Sequence, residues 1–481
     1  LTHTLTQMAR GGIYDHIGGG FHRYATDQRW RVPHFEKMLY DNAQLASLYL
    51  QTAAIVASSA KRILFREVAQ QILDYLNREM LSESTLYYSA TDADSLAPNG
   101  KHPEEGLFFT WTPSELKSSL STEEYALVNQ VYRITEKGDL DGRNIFHRLS
   151  SFPALIKRSG LAPKLFRARL KNARQTLYQT RLGRIPPLRD DKAITSWNAL
   201  AISAMVNGAR YLDQKYLKYA KQTARSILKN MKTDDEGLKR TFMKNQARHD
   251  GVLDDYAFFI QALLDLFEAS GESQWLSQAI SLQTYLDHHF WSSKSGGYYM
   301  TSDLAEQLIA RDRPSYDGAE PSGNSVSAHN LMRLFKLTGQ QNYLKRVERL
   351  FKAFGLYLNR AGGLNQMMTA LLDYHGQGRE LAIITPNGQL KDTTFIESIY
   401  RGVWPNTALV ISPNQSDKQR EKLEALVPWL KDKHMIGNQV TAYLCYEGIC
   451  ERPLTSVEAL IERLKQEPPL YLDRSPEPLT P

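Results

Sequence analysis

Cysteine is almost absent: 481 residues hold two, Cys445 and Cys450. Their spacing is neither a CxxC redox motif nor part of a four-ligand zinc set. They are expected as a reduced pair in a cytoplasmic protein, with a disulfide between them geometrically open. No run of about 18 apolar residues occurs, which argues against a membrane span. No HExxH or comparable ligand spacing occurs, so no metal is expected. No cofactor is expected either. Gly18-Gly19-Gly20 lacks the GxGxxG or GxxxxGK(S/T) frame of a phosphate loop and reads as a tight turn. No secretory signal is visible. The chain opens at Leu1 without Met, inside a helical pattern (Leu1, Leu5, Met8), so the natural polypeptide is expected to extend upstream.

What remains is a globular composition, 42% hydrophobic and 23% charged, rich enough in apolar residues for a large core. The net charge of +7 is local in origin, because residues 151–190 carry ten basic side chains against one acid, Asp190. A solvated outer helix with Arg stems lying along it accounts for this. No nucleic-acid module accompanies the charge, so nucleic acid is not expected as a partner, and neither is a membrane.

Helical periodicity dominates to about residue 376. Apolar spacings of three and four mark helices at 36–57, 60–80, 113–130, 162–182, 193–212, 215–232, 251–270, 273–290, 322–339 and 341–358. Short connections join them as αα-hairpins, with Gly271 and Gly339 where a helix C-cap glycine belongs. A glycine–aromatic or glycine–apolar turn recurs at Gly11-Gly12-Ile13-Tyr14, Gly237-Leu238, Gly296-Gly297-Tyr298-Tyr299 and Gly362-Gly363-Leu364. Helix pairs repeating every 55–80 residues or so suggest a solenoid or closed toroid. The fold class expected is therefore all-α, an (α/α)6 toroid of six hairpins over 1–376 with its first helix missing. Strands at 380–385, 407–412 and 441–446, with a helix at 393–402, mark a small α/β appendage over 377–467. A Pro-rich tail, 468–481, ends the chain.

The segment Gly11–Gln44 is dense in Gly, His, Arg and aromatics, a composition that usually lines a site. Other polar clusters also sit just before, or in, the first turn of a hairpin's first helix. They are His34, Glu36, Tyr40, Asp41 and Asn42; then Asp190, Asp191, Trp197 and Asn198; then His249, Asp254, Asp255 and Tyr256; then Glu320, Ser322 and Asn324. In a barrel these would converge at one mouth, where backbone N–H groups and the positive dipole end also point. Each cluster alone reads equally well as helix capping. Capping does not explain the aromatics beside the acids, which suit a sugar ring: apolar faces stack while hydroxyls need donors and acceptors. Asp254 and Asp255, or Asp92 and Asp94, are the carboxylates a glycosidase would need, although Asp92 and Asp94 also read as a hairpin turn. His16, His22, His34 or His249 could move protons near neutral pH in an epimerase. The expected catalytic set is Asp254, Asp255 and His34. The expected substrate-binding set is His22, Arg23, Glu36, Tyr40, Asp41, Asn42, Trp197, Asn198, Tyr256, Glu320, Ser322 and Asn324.

GGIYDHIGGGFHRY, WRVPHFEKMLYDNAQLA, ITSWNALAISA, LDDYAFFIQALLDLFEAS and EPSGNSVSAHNLMRL resemble the hallmark segments of a thioredoxin-domain-containing family, that of the spermatogenesis-associated proteins. The likeness runs from Leu1 to about Pro453. It implies a thioredoxin-like domain followed by a six-hairpin barrel similar to N-acylglucosamine 2-epimerases and six-hairpin glycosidases. Only the barrel portion is matched here, so the thioredoxin-like domain is expected as an upstream partner, and none of its redox chemistry transfers to this chain. Two functions are then open. One is a carbohydrate-active enzyme, an epimerase, isomerase or glycosidase with a sugar-like small-molecule ligand. The other is a non-catalytic module that presents clients to the thioredoxin-like domain.

Overall fold

In the computed structural model the described residues are 1–97, 100, 102–306, 309–359, 363–388, 394–415 and 418–466. The Pro-rich segment 468–481 and Gly362 lie outside them. The chain forms two compact units, Leu1–Glu83 with Tyr87–Lys192, and Ser84–Leu86 with Ala193 onward.

The first unit holds α1 (Thr2–Met8), α2 (Leu39–Ile55), α3 (Ser59–Tyr75), α4 (Pro113–Ser119), α5 (Thr122–Tyr132), α6 (Phe152–Ser159) and α7 (Pro163–Leu182). Short strands lie between them: β1 (Tyr24–Ala25), β2 (Pro33–His34), β3 (Lys37–Met38), β4 (Ala90–Thr91), β5 (Asp94–Leu96), β6 (Pro103–Glu105) and β7 (Arg189–Asp190). β1 pairs with β2, β5 with β6, and β3-β4-β7 form a sheet. α2 and α3 make the expected hairpin, with Ser58 capping α3 through the Lys61 N–H. The single helix expected over 113–130 is two. Thr112 with Glu115, and Ser121 with Glu124, each form a capping box, and the second box restarts the chain after Leu120. Inside the unit Asp15 accepts from Lys37 at 2.7 Å, and both its oxygens accept from the Arg181 Nη1, at 2.9 and 3.0 Å. Burial alone would raise the Asp15 pKa, but Arg181 and Lys37 hold it well below the usual carboxylate range. Removing either cation would leave buried charge uncompensated, so this cluster fixes the Gly-rich loop to α7.

The second unit holds α8 (Thr195–Tyr211), α9 (Lys215–Asn230), α10 (Leu253–Ser270), α11 (Ser273–His289), α12 (Gly323–Thr338), α13 (Gln341–Leu358) and α14 (Asn365–His375). Preceding α10 are β8 (Ala193–Ile194), β9 (Lys239–Met243) and β10 (Gln246–Asp250), ordered β10-β9-β8. α8/α9, α10/α11 and α12/α13 are hairpins, and α10 lies between α8 and α12. Gly271 and Gly339 end α10 and α12 in the left-handed region at φ +69° and +70°, as expected. α8, α10 and α12 are buried nearly all round, whereas α9 buries a single stripe, Tyr216, Leu217, Ala220, Ala224 and Ile227. At the far end of the three first helices, Arg333 pairs with Asp265 at 2.8 Å and Glu268 at 3.0 Å, and Arg210 with Glu268 at 3.3 Å.

The α/β part follows within the same unit. It comprises β11 (Arg379–Thr385), α15 (Thr394–Ile399), β12 (Thr407–Pro413), α16 (Lys418–Leu426), β13 (Thr441–Tyr446), β14 (Ile449–Cys450) and α17 (Val457–Lys465). The sheet order is β12-β11-β13-β14, with β11 parallel to β12 (Leu381 opposite Leu409) and antiparallel to β13 (Leu381 opposite Leu444). β11, paired on both edges, is buried along its whole length, and its centre Leu381–Ile384 is apolar. The Trp429 indole N–H donates to the Lys336 and Leu337 carbonyls, which satisfies the end of α12. Cys445 and Cys450, expected reduced, are joined as a disulfide across the β13–β14 pair. The mostly helical hairpin architecture and the C-terminal α/β part are those expected.

Candidate functional site

The glycine turns recur by a common geometry, and that geometry reassigns several candidates. In one copy the Asp15 N–H donates to the Gly20 carbonyl and Gly19 N–H to the Asp15 carbonyl, at 3.0 and 2.9 Å, and Tyr14 bridges Phe21. In another, Ser292 N–H donates to Gly297 and Gly296 N–H to Ser292, at 2.9 and 3.0 Å, and Trp291 bridges Tyr298. The left-handed glycines of this turn are Gly19 and Gly20 (φ +79° and +80°) and Gly296 and Gly297 (φ +73° and +77°). The copy of Gly296-Gly297 is thus Gly19-Gly20, and not Gly11-Gly12. A third copy, Thr233–Leu238, has Lys232 bridging Leu238.

In every copy the residue after the turn donates its N–H to a side chain from the first helix that follows. Phe21 donates to Asn42 at 2.7 Å, Leu238 to the Tyr256 hydroxyl at 2.8 Å, and Tyr298 to Asn324 at 2.8 Å. Both asparagines donate back, Asn42 to the Phe21 and Met38 carbonyls and Asn324 to those of Tyr298 and Pro314. Asn42, Tyr256 and Asn324, expected to bind substrate, are buried clamps that satisfy backbone groups. Asn198 is likewise fully buried and donates to the Ile194 carbonyl. Ser322 is the N-cap of α12. His22 is 3% exposed, bonds the Phe35 carbonyl and packs edge-on to Phe35 and Phe109. Burial, with Lys37 beside it, lowers its pKa to about 3, so it is neutral core rather than a ligand-facing base.

At the starts of the second unit's first helices, carboxylates stitch neighbours together. Asp255 is fully buried; it accepts from Ser196 N–H at 3.0 Å and Val252 N–H at 2.9 Å, with the Arg240 Nη1 at 3.3 Å. Burial raises its pKa, and Arg240 and these N–H groups oppose the rise. Expected to be catalytic, Asp255 instead joins the start of α10 to that of α8. Asp317 accepts from Ser322 N–H at 2.9 Å and Gln366 N–H at 2.7 Å, joining α12 to α14. Asp254 accepts from Gly323 N–H at 2.9 Å, joining α10 to α12. Glycine is required at 323, where a Cβ would lie 2.6 Å from the Asp254 Oδ1 and 2.5 Å from Leu253. Within this unit the helix starts therefore do lie on one face.

Asp254 differs from its neighbours. It is half-buried, and no second hydrogen bond to it is found among the described residues. Burial first, then the charge of Asp255, pushes its pKa up to about 6. A group poised there can give and take protons at neutral pH. Trp197 is half-buried in the first turn of α8, and Glu320 is half-buried in the loop entering α12. Arg240, on β9, was not singled out from sequence, since no helical spacing links a strand residue to a carboxylate fifteen positions later. His249 and Asp250 do not open α10; they lie exposed on β10.

The first unit has its own polar group. His34 bridges Glu36 at 3.2 Å and Glu105 at 2.7 Å, stacks on Tyr24, and Glu36 pairs with Arg23 at 2.9 Å. Tyr40 is buried and Asp41 half-buried in the first turn of α2. The Asp41 Oδ2 is buried without a partner, and burial raises its pKa to about 7. Asp92 accepts from the Ala93 N–H at 2.7 Å, the local turn anticipated for it. Among the described residues no group of three or more His, Cys, Asp or Glu is placed to hold a metal ion, and no helix is long and apolar enough to cross a membrane.

No protein-family model matches the chain. Human spermatogenesis-associated protein 20 is 36% identical over 484 residues, 94% of this chain and 61% of that protein. The chain is similar to spermatogenesis-associated protein 20 over this span. The mouse homologue is 34% identical over 495 residues, 96% of this chain and 62% of that protein. The chain thus spans about three-fifths of the curated relatives it matches. Among solved structures, cellobiose 2-epimerase from Bacillus thermoamylovorans aligns at 11% identity and a TM-score of 0.39, over 88% of this chain and 84% of that one. A likeness of this extent carries no inference about activity.

Proposed function

We propose that the chain is a carbohydrate-active enzyme whose second unit binds a sugar-like ligand at the starts of α8, α10 and α12, with Asp254 as acid–base. The observation that carries this is the Asp254 carboxyl: half-buried, held by one N–H, and raised to a pKa of about 6. Epimerisation or isomerisation suits the geometry better than hydrolysis. Glycoside cleavage needs two available carboxyls, and both oxygens of Asp255 already accept backbone N–H groups. In the proposed reaction the Asp254 carboxylate takes the proton from the carbon beside the sugar carbonyl. The electron pair moves to the carbonyl oxygen as an enediolate; Asp254 returns the proton to the same carbon after the intermediate turns its other face, or to the neighbouring carbon as the hydroxyl proton passes to the former carbonyl oxygen. Trp197 offers a ring face for stacking, and the helix starts favour the developing negative charge.

Titration with monosaccharides, amino sugars and short oligosaccharides, read by thermal shift, tests the reading. Binding is expected, and it should weaken in Trp197→Ala. If none of these sugars binds, the reading falls.

A further inference from the structure

The first unit contains a cleft of about 460 Å³ to which the chemistry above assigns no role. It is lined by residues of α1, the loop 28–31 and the segment 147–149. Four arginines, Arg10, Arg29, Arg31 and Arg148, and two histidines, His3 and His147, lie in that lining, and none of the lining residues is acidic. Surface arginines in this number normally find carboxylates.

Arg148 is held inside the protein and Arg10 is half-buried. Arg148 is 5% exposed; it donates to the Ala9 carbonyl at 3.1 Å and stacks on Phe152 at 4.2 Å. Its Nε is buried without an acceptor, and so is the Nε of Arg10. Burial lowers both pKa values, that of Arg148 to about 10, and each charge that acts on Arg148 from Arg10 or Arg174 lowers it further. Positive charge gathered around a cleft without an acid is unfavourable until an anion offsets it.

The loop that completes the cleft is built rigidly. Asp27, the acid nearest in sequence, is occupied by the N–H groups of Arg29, Arg31 and Val32 at 2.6, 2.9 and 2.7 Å. The Trp30 carbonyl accepts from the Ile13 N–H at 3.2 Å. Gly11 lets this loop approach, because a Cβ there would be 2.2 Å from the Trp30 oxygen. Trp30 lines the cleft half-buried beside the arginines.

We infer that this cleft binds a phosphate-bearing small molecule, its phosphate at Arg10, Arg29 and Arg31, with the buried Arg148 adding positive charge to the wall, and its organic part against Trp30. Planar guanidinium groups are the side chains best matched to phosphate oxygens, and an indole face suits a ring. The site belongs wholly to the first unit and does not depend on Asp254.

The test is calorimetric titration and thermal shift of the chain with inorganic phosphate, glucose 6-phosphate and glucose. Glucose 6-phosphate should bind and raise the melting temperature while glucose does not use this cleft. Arg10→Gln should weaken phosphate-ester binding by about tenfold or more while leaving the ligand-free protein as stable or more so, since an unpaired charge is gone. Arg29→Gln, at an exposed position, should weaken it without touching the fold. Tighter binding of the ester than of phosphate identifies an organic phosphate as ligand, and equal binding identifies phosphate itself; either supports the site. No binding of either anion, or binding unchanged in both variants, overturns it. Asp254→Asn should leave this binding intact, so failure here is separable from failure of the sugar reading.

Discussion

Replacing Asn324 by alanine removes three hydrogen bonds at once: one accepted from Tyr298 N–H at 2.8 Å and two donated, to the Tyr298 and Pro314 carbonyls, at 3.0 and 3.1 Å. Asn324 and Tyr298 are both fully buried, so water does not readily replace the lost partner. A buried polar group left unsatisfied costs about 1–3 kcal/mol. The Tyr298 N–H bears the full penalty, and the two carbonyls, each with a second lone pair, bear less. The sum is about 2–5 kcal/mol. For a unit of this size it lowers the melting temperature by roughly 3–10 °C. Denaturant unfolding and scanning calorimetry of Asn324→Ala measure it. A loss below about 1 kcal/mol, accompanied by weaker sugar binding, would show that Asn324 serves the ligand and not the turn, and the clamp reasoning would fail.

The hairpins were legible because apolar residues recur at spacings of three and four in helices such as α8, α9 and α10, which short connections join. The C-cap glycines Gly271 and Gly339 were legible because only glycine fits the left-handed region without strain. Capping boxes at Thr112 and Ser121 were also written in the sequence, but the apolar spacing across Leu120 runs on and masks the break. The site was harder. An asparagine in the first turn of a helix looks the same whether it faces a ligand or clamps a distant turn, and only the contact with Phe21 or Tyr298 decides. The same holds for Asp254 and Asp255, adjacent carboxylates that alternate between a half-open position and a buried junction with α8. Arg10 and Arg148 are far apart in sequence, and the absence of acids around them is a property of space alone.

Asp254→Asn should stabilise the protein at pH 8. The folded pKa of about 6 lies above the ordinary value of 3.8, so the native state binds more protons between them, and the Asp254 contribution to stability is lost as pH rises through that window. The gain should be about 1–3 kcal/mol at pH 8 and near zero at pH 4, read as unfolding midpoints, and a gain independent of pH would contradict the assignment. His22 works in the opposite sense. Its pKa falls to about 3 on folding, so the unfolded chain binds the extra proton below pH 6.5, and stability falls as the solution is acidified from there. His22→Gln should flatten that loss between pH 6.5 and pH 4, where the histidine accounts for at most about 3 kcal/mol, and an unchanged slope would place the histidine in solvent.

Proton exchange at carbon tests the proposed chemistry most directly. The chain is incubated in D2O at pH 7.5 with each sugar found to bind, and deuterium at the carbon beside the carbonyl is followed by NMR. Deuterium should enter that position with the native chain and fall by at least about a hundredfold, the usual worth of a general base, in Asp254→Asn, whose fold and phosphate binding stay intact. Absence of exchange with every bound sugar, or equal exchange in the variant, would contradict the assignment of Asp254 as the proton-transfer group.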